Sequence, residues 1–177
     1  MQDDSYRQRI HRELDALGIP MAWIETYRLP LHPEAAELVV AETDADGREY
    51  LLTSAAMRAW AAMKEAARQD GVTLQIVSSF RTIERQIAII RDKIARNMPM
   101  ETILTLSAPP GYSEHHSGRA IDINTPGCRP TEEEFADTAA YRWLEQHAVR
   151  FGFHLSYPRG NALGFIYEPW HWCYQEF

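Results

Sequence analysis

The sequence of 177 residues carries 25 acidic and 18 basic side chains, which gives a formal net charge of −7 at pH 7. Hydrophobic residues make up 45% of it, enough for one core, and the length suits a single domain. The acidic balance argues against a nucleic-acid-binding protein and against docking to anionic membranes, and no apolar run is long enough to span a bilayer.

The N-terminal part of the chain, residues 1–35, is predicted to be a helix followed by an irregular extension. Its first ten residues are polar and lack the apolar stretch of a signal peptide. They predict a cytoplasmic protein, one exported by another route, or a chain that has lost a leader. Apolar residues then recur at helical spacing, so a helix is expected over 5–17, ended by Gly18 and Pro20. Residues 21–33 hold two prolines and are expected to be irregular.

Helices and short strands are mixed over the rest of the chain, residues 36–177. The expected elements are a hairpin of strands over 37–43 and 48–52, a helix over 54–69 capped by Thr53, a strand over 74–79, helices over 82–97 and 99–106, a strand over 119–123, a helix over 138–151, and strands over 153–157 and 165–174. They do not follow a strict βαβ alternation. We therefore predict an α+β fold, a single domain with a mostly antiparallel sheet flanked by helices.

The segment Tyr112–Asp122, Y-S-E-H-H-S-G-R-A-I-D, concentrates ligand-type side chains around one glycine. Imidazole and carboxylate groups are usual ligands of zinc, and a surface loop has no need of such a density. His115 and Asp122 lie seven residues apart, and Gly118 between them permits a sharp turn. The polar–apolar alternation after Gly118 predicts a half-buried strand. His115 would then come from a loop and Asp122 from a strand, with a third ligand elsewhere.

The third ligand is predicted near the C-terminus, in Y-E-P-W-H-W-C-Y, residues 167–174. Glu168 and His171 are three residues apart, but a proline follows the glutamate directly, so the segment is extended or bent and not helical. It differs in this from the H-E-x-x-H helix of other zinc proteases. We predict His115, Asp122 and His171 as ligands of one zinc ion. Glu168 is expected beside them as a general base, and the open fourth position is typical of catalytic zinc.

The two cysteines, Cys128 and Cys173, lie six residues after Asp122 and two residues after His171. If those two ligands hold one metal ion, the cysteines could be neighbours. A disulfide and a pair of separate thiols are therefore both open. Cysteine is not expected as a zinc ligand, because the set of two histidines and one aspartate is already complete.

Three motifs resemble those of the VanY-type zinc D-alanyl-D-alanine carboxypeptidases. They are S-x-H-x-x-G-x-A-x-D over 113–122, E-P-W-H over 168–171, and S-S-F-R-T-I-E-R-Q over 78–86, which matches S-x-[FY]-R-[ST]-x-x-x-Q. The segment W-L-E-Q-H-A-V-R-F-G-F over 143–153 is similar to the family's approach to its last strands. The resemblance covers roughly residues 50–177, with the motifs in the family's order. It implies the fold that this family shares with the Hedgehog signalling domain.

The resemblance also implies roles for residues outside the ligand set. Arg81 matches the arginine that faces the scissile carbonyl, where it would stabilise the oxyanion together with zinc. Gln86 matches a substrate-side glutamine. Ser113 matches a serine that contacts substrate, and a hydrogen bond to the backbone of its own turn is the alternative. His116, beside the ligand, would support the site from outside or lie on the surface.

The family's substrate class, peptidoglycan stem peptides, implies a metallopeptidase that removes the C-terminal D-amino acid, with 36–177 as its catalytic core. The bond would be cut by a D,D-carboxypeptidase, or by an L,D-carboxypeptidase acting on a tetrapeptide. A D-Ala-D-Ala dipeptidase or an endopeptidase of the same fold is an alternative. A zinc-containing peptidoglycan-binding module without activity is the competing class. The presence of both Arg81 and Glu168 favours the enzyme, because neither is needed to hold zinc.

The residue that would hold the substrate carboxylate is not identified by these motifs. Arg119 and Arg159 are candidates, although a solvated arginine is the ordinary alternative for each. The loop R-G-N-A-L-G over 159–164 stands where relatives often carry a lysine-containing loop that ends in Thr-Gly. This difference concerns recognition of the substrate end and not the metal chemistry. The oligomeric state is left open.

Overall fold

Six α-helices and six short β-strands form the part of the chain that the structure, a computed structural model, describes: residues 2–176, with side chains for 4–176. The helices are α1 (Gln2–Leu17), α2 (Met21–Tyr27), α3 (Ser54–Gln69), α4 (Ile83–Ala95), α5 (Met100–Leu106) and α6 (Ala139–His147). The strands are β1 (Val39–Thr43), β2 (Glu49–Leu52), β3 (Gln75–Ser78), β4 (Ala120–Asn124), β5 (Phe153–Leu155) and β6 (His171–Tyr174). Shorter 3-10 turns lie at Glu114–Ser117, Glu133–Asp137 and Ala148–Phe151. Within residues 2–176, no helix combines the length and the apolar character needed to cross a lipid bilayer.

The strands pair antiparallel throughout, so the predicted α+β fold class is confirmed. The main sheet has the order β3-β4-β6-β5, and β1 and β2 form a separate hairpin. In the middle of the main sheet, β4 places Asp122 opposite Ser78 of β3 and opposite His171 of β6. All five residues of β4 are buried, so the prediction of a half-buried strand is wrong. The reason is that Ile121 and Ile123 pack into a hydrophobic core, while the opposite face of the strand lies under the metal-ligand group.

The N-terminal region contains a second helix that the sequence reading missed. The helix α1 ends at Leu17, as predicted. Residues 21–27, expected to be irregular, form α2, which begins after Pro20 and ends where Arg28 takes a left-handed conformation (φ 48°). The two prolines that argued against a helix lie beyond this end. Burial of Ile24, which is 6% exposed, holds this short helix, because seven residues are too few for a helix to be stable alone.

Buried apolar side chains form two clusters. The sheet-side cluster packs α3 and α6 against the main sheet and is centred on Trp60, Met63, Ile121, Ile123, Phe135, Leu144, Phe153 and Trp172. The pocket-side cluster consists of Ile10, Leu14, Leu17, Ile19, Ile24, Leu29, Ile83, Ile87, Ile90, Ile103, Leu104, Tyr112, Tyr157 and Phe165. The N-terminal region thus shares a core with α4 and α5. The division into an extension over 1–35 and a core over 36–177 stays a prediction.

Threonine side chains cap the starts of three helices. Thr82 Oγ1 accepts a hydrogen bond from the backbone N–H of Arg85 at 3.1 Å, and Thr138 Oγ1 accepts one from Tyr141 at 3.1 Å. Thr53, the cap predicted for α3, accepts one from Ala56 at 3.4 Å. A cap of this kind contributes about 1 kcal/mol to helix stability. The first cap also fixes the junction between β3 and α4, which is where Arg81 lies.

The two cysteines do not form a disulfide. Cys173 is buried in β6, and Cys128 is half-buried in the loop after β4. Each is a free thiol, so the second of the two alternatives holds. Across the sheet, Cys173 pairs with Ala120 on one side and with His154 on the other.

Candidate metal centre and active site

The structure brings His115, Asp122 and His171 together at the middle of the main sheet. His115 comes from the 3-10 turn before β4, Asp122 from the centre of β4, and His171 from the first position of β6. One ligand atom from each lies within 4.8 Å of the others, and all three residues are buried. Asp122 and His171 are direct register partners, so strand pairing sets their spacing. Their role as ligands stays a prediction, which this geometry fits.

Gly118 makes the approach of His115 to Asp122 possible. It takes a left-handed conformation (φ 64°), which side-chain-bearing residues rarely adopt. A Cβ atom at this position would also lie 2.7 Å from Leu38 Cδ2 and 3.2 Å from Ala35 Cβ. A side chain at this position would therefore strain the backbone of the turn that carries His115 and displace the end of Leu38.

His115 is oriented by the backbone. Its Nδ1 donates to the Ser79 carbonyl oxygen at 2.7 Å, which leaves Nε2 facing Asp122 Oδ2 at 3.3 Å. Because a carbonyl oxygen only accepts, this hydrogen bond fixes the proton on Nδ1 and the lone pair on Nε2. Burial lowers the pKa of His115, so the ring is neutral, the form in which a histidine binds a metal ion.

His171 is oriented by a carboxylate that the sequence reading missed. Its Nε2 donates to Glu114 Oε2 at 2.8 Å, and the same oxygen accepts from Ser156 Oγ at 2.6 Å. The Nδ1 of His171 is left facing Asp122 Oδ1 at 3.0 Å. The two histidines therefore present different ring nitrogens to the site. A carboxylate behind a metal-binding histidine fixes the ring and raises its basicity.

The charges of this group follow from its contacts. Burial would raise the pKa of Glu114, but the hydrogen bond and charge of His171 lower it to about 2. The pKa of Asp122 is also held low, against burial, by the charges and hydrogen bonds of the two histidines. Burial would lower the pKa of His171, but hydrogen bonds and charge from Asp122 and Glu114 raise it to about 10. Without a metal ion, His171 is therefore protonated on both ring nitrogens near neutral pH.

His116, next to the ligand, supports the site from outside. It is fully buried; its Nδ1 donates to the Arg81 carbonyl oxygen at 2.6 Å, and its Nε2 accepts from the Gly111 N–H at 3.2 Å. Burial lowers the pKa of His116 to about 4, so the ring stays neutral. Both of its nitrogens are hydrogen-bonded to backbone groups. The sequence left two roles open for His116, and this position fits a residue that supports the site better than a surface residue.

Arg81 lies at the edge of the pocket, and Gln86 holds it there. The guanidinium Nη1 donates to Gln86 Oε1 at 2.9 Å, and Nη2 donates to Ser78 Oγ at 3.1 Å. Gln86 Nε2 donates in turn to the Ala108 carbonyl oxygen at 2.7 Å. Gln86 is 1% exposed and does not line the pocket. Its position suits orientation of Arg81 and not the substrate contact that the resemblance implied.

Glu168 faces the metal-ligand group without belonging to it. Its Oε2 is 3.9 Å from His171 Nδ1, and it lines the pocket. Burial raises the pKa of Glu168 to about 7, a value suited to taking and returning a proton. The backbone N–H of His171 donates to the Glu168 carbonyl oxygen at 3.1 Å, so the Glu-Pro-Trp-His segment is the bend that its proline predicted.

A cavity of about 310 Å³ opens onto the ligand group. Its apolar wall is formed by Ile89, Leu106, Phe165, Ile166 and Trp170. The ring of Tyr157, also in the wall, stacks on His171 with 4.6 Å between ring centroids. The polar lining beyond the ligand group comes from Arg81, Lys93, Ser107, Ser113, Thr131 and Glu168. The pocket thus joins an apolar wall to convergent polar groups, as small-molecule sites do.

The remaining sequence candidates divide between the pocket and the surface. Ser113 lines the pocket, and within the described part of the chain its hydroxyl makes no hydrogen bond, so it is open to a ligand. Arg119 and Arg159, considered for the substrate carboxylate, do not line the pocket. Arg159 instead pairs with Glu133 at 3.0 Å and lies over the Tyr167 ring at 4.2 Å.

Known proteins share this chain's sequence features. Residues 49–177 match the sequence model of the VanY family, described as D-alanyl-D-alanine carboxypeptidase. The chain is 38% identical over 120 residues to a D-alanyl-D-alanine carboxypeptidase of Enterococcus faecalis, covering 62% of this chain and 43% of that protein. It is 32% identical over 109 residues to the bifunctional D-Ala-D-Ala dipeptidase and carboxypeptidase VanXYC of Enterococcus gallinarum, covering 57% and 55%. The chain therefore spans about half the length of these relatives.

Solved structures share the fold. The LdcB LD-carboxypeptidase superposes with a TM-score of 0.72 at 29% identity, over 82% of this chain and 71% of that one. A variant of the vancomycin-resistance D,D-pentapeptidase VanY, in complex with Zn(II), gives a TM-score of 0.64 at 32% identity, over 84% and 88%. The family model covers well over half of the sequence, and the predicted fold agrees with these neighbours. The chain belongs to the VanY family of D-alanyl-D-alanine carboxypeptidases.

Proposed function

We propose that this protein is a zinc metallopeptidase that removes the C-terminal D-amino acid from peptidoglycan stem peptides. The observation that carries the proposal is the convergence, in one pocket, of a buried His-Asp-His group with Glu168 and Arg81. Family membership supports it, as does a VanY structure that holds Zn(II) and a VanYB structure that holds D-alanine-D-alanine.

The ligand group fits one zinc ion. Two imidazole nitrogens and a carboxylate oxygen are usual zinc donors, and three protein ligands that face a pocket are typical of catalytic sites. Their hydrogen bonds already direct Nε2 of His115 and Nδ1 of His171 toward Asp122. When bound in such a site, Zn²⁺ polarises a carbonyl oxygen and lowers the pKa of a water molecule.

Glu168 is the group that would move the proton. It takes a proton from the water whose oxygen adds to the carbonyl carbon of the last peptide bond. It then gives a proton to the leaving amine nitrogen as the C–N bond breaks. Burial raises the pKa of this carboxyl group, which favours its acting first as a proton acceptor and then as a proton donor. No covalent bond to the protein forms, so no serine or cysteine nucleophile is required.

Arg81 would stabilise the negative charge that develops on the carbonyl oxygen. Hydrogen bonds to Gln86 and Ser78 fix its guanidinium before substrate binds. Such preorganisation matters because loss of one oxyanion donor typically costs about 3 to 4 kcal/mol of transition-state stabilisation. The competing class, an inactive binding module, would need neither this arginine nor Glu168.

The bond that is cut can be identified by mass spectrometry of muropeptide products. Penta- and tetrapeptide muropeptides are incubated with the zinc-loaded protein, with and without a chelator. We expect chelator-sensitive loss of one D-alanine from the pentapeptide, which zinc restores. Loss from the tetrapeptide alone would assign an L,D-carboxypeptidase, and release of D-Ala-D-Ala would assign a dipeptidase. If neither peptide is cut while one equivalent of zinc is bound, the binding-module interpretation replaces the enzyme.

A further inference from the structure

Lys93 lies in the pocket, although no motif of the sequence pointed to it. It is in the last turn of α4, and its Nζ donates to Ser107 Oγ at 2.7 Å. Among the described residues, Lys93 and Arg81 are the lysine and arginine side chains that line the cavity. Ser107 follows α5 and lines the same wall. Two helices thus bring a cation and a hydroxyl to one place in the pocket.

The Lys93 ammonium has capacity to bind an anion. It carries three N–H donors, and Ser107 Oγ is the partner that the described residues provide. No carboxylate of the described chain lies within ion-pair distance of it. By contrast Lys64, the other lysine of the sequence, pairs with Glu42 Oε1 at 2.6 Å outside the pocket. A half-buried and unpaired ammonium in a concave site attracts negative charge.

The other cations near the pocket are not placed to bind the end of the substrate. Arg81 donates two hydrogen bonds to Gln86 and Ser78, and the proposed function already assigns it to the carbonyl oxygen of the scissile bond. Arg119 and Arg159 do not line the cavity. A carboxypeptidase must nevertheless recognise a free carboxylate. Lys93 is the remaining positive charge that a substrate in this cavity can reach.

We propose that Lys93, with Ser107, binds a carboxylate of the substrate. The inference rests on the proposed peptidase function and adds the group that would make the enzyme select peptide ends. The ammonium donates a charge-assisted hydrogen bond to the carboxylate, and the Ser107 hydroxyl turns to donate a second. The carboxylate could be the C-terminal one of the D-amino acid or one further back in the stem peptide. Substrates in which one carboxylate at a time is amidated separate these two sources.

The test compares free-acid and amide substrates in three variants. Steady-state kinetics are measured on an acyl peptide that carries one interior carboxylate and ends in D-Ala-D-Ala, and on its C-terminal amide. In Lys93→Met, KM for the free acid should rise by about 10- to 100-fold, the worth of a hydrogen bond to a charged group. KM for the C-terminal amide should change little if Lys93 binds the C-terminal carboxylate, and should rise as much as for the acid if Lys93 binds the interior one. Lys93→Arg, which keeps the charge, should lose much less. Lys64→Met is the matched control and should leave KM unchanged.

Two outcomes of this series would overturn the inference. One is an equal rise in KM on the free acid and on the C-terminal amide of a peptide whose interior carboxylate is blocked. Lys93 would then act through the charge of Glu168 and not by binding a carboxylate. The other is an unchanged KM for every substrate. A third peptide, with its interior carboxylate amidated, locates the source. If the Lys93 dependence disappears there and persists on the C-terminal amide, the interior carboxylate is the one that Lys93 binds.

A binding measurement separates failure of this inference from failure of the proposed function. Calorimetry of D-alanine and of D-alaninamide with the zinc-loaded protein needs no turnover. If no peptide is cut but D-alanine binds and Lys93→Met weakens that binding, the carboxylate site stands and the peptidase proposal fails. If turnover is normal while neither KM nor binding depends on Lys93, the peptidase proposal stands and the carboxylate site fails.

Discussion

The turn over 114–117 and the segment over 168–174 each supply one histidine, but they hold it by different means. His115 donates a hydrogen bond to a backbone carbonyl, a neutral acceptor that no side-chain substitution can remove. His171 donates a hydrogen bond to the carboxylate of Glu114, which is ionised and which a single substitution can remove. The first ring is neutral before metal binding, whereas the second is protonated on both nitrogens and positively charged. The contrast separates a ligand that the fold fixes from one that a neighbouring charge tunes.

Substitution of Asp122 by asparagine should weaken zinc binding on the sides of both histidines at once. Its two oxygens face His115 Nε2 and His171 Nδ1, so loss of the charge removes a ligand and the shared partner of both rings. We expect zinc affinity to fall by more than about 100-fold, beyond the effect of an outer partner, with activity at background. Competition with a calibrated chelator measures the affinity. Retention of one tightly bound zinc ion would remove Asp122 from the ligand set.

Glu168→Gln should separate chemistry from metal binding on the His171 side. Glu168 Oε2 lies 3.9 Å from His171, yet Glu168 is outside the converging ligand group. Loss of the base should lower kcat by about 10²- to 10⁴-fold. Zinc content should stay at one equivalent by elemental analysis. A variant that loses zinc, or that keeps full turnover, would contradict the role of Glu168 as the base.

Substitutions at Glu114 should weaken only the tuned ligand. Glu114→Ala is expected to lower zinc affinity by about 10- to 100-fold, and Glu114→Gln by less, because the amide oxygen can still accept from His171 Nε2. Chelator competition and the visible spectrum of the cobalt-substituted protein report on the metal without turnover. Equal zinc affinity in all three proteins would show that Glu114 does not orient His171.

Ser79→Ala is the matched control on the side of His115. The substitution keeps the carbonyl that accepts from His115 Nδ1, so zinc affinity should not change. It does remove the hydroxyl that accepts from the Leu51 N–H at 3.0 Å. The free energy of unfolding should therefore fall by about 1 kcal/mol, measured by urea denaturation. A large fall in zinc affinity would mean that the backbone does not fix this ring independently.

The dependence of zinc binding on pH should show the proton on His171. Its pKa of about 10 in the metal-free protein lies well above the ordinary value, so at pH 7 to 9 zinc must displace one proton. Apparent affinity should then rise about tenfold per pH unit in this range, because one proton is released per ion bound. Calorimetry in buffers of different ionisation enthalpy counts the protons. In Glu114→Ala the release near pH 8 to 9 should shrink, since one of the two carboxylates that raise the pKa of His171 is gone.

The ligand group was predictable from sequence because most of its residues lie close together in the chain, at spacings typical of a metal site. His115, Gly118 and Asp122 fall within eight residues, and the proline after Glu168 excludes a helix there. The contact between Glu114 and His171 was not predictable, since it joins residues 57 positions apart. The sequence showed an acidic residue beside the ligand, but not which ring it faces.

The sequence also did not predict which face of α4 lines the cavity or what covers the polar face of β4. Gln86 and Lys93 are both polar residues of α4, and periodicity alone does not tell which of them faces Arg81 and which the cavity. β4 alternates like a half-buried strand, but its polar positions face a buried metal-ligand group and not solvent. The short helix α2 was missed because tertiary burial of Ile24, and not local propensity, holds it.

The pocket-side cluster has a consequence for how this protein can diversify. Tyr157 and Phe165 line the cavity and are also packed in one core with Ile10, Leu14 and other residues that precede the family match. The ring of Tyr27 lies so close to Gly164 that a Cβ atom there would be 2.6 Å from it. Mutations in the first 30 residues can therefore reshape the cavity wall while the residues of the three sequence motifs stay intact. For the proposed peptidase, substrate preference could then change in evolution, or be selected in a library, through a segment that the family model does not cover.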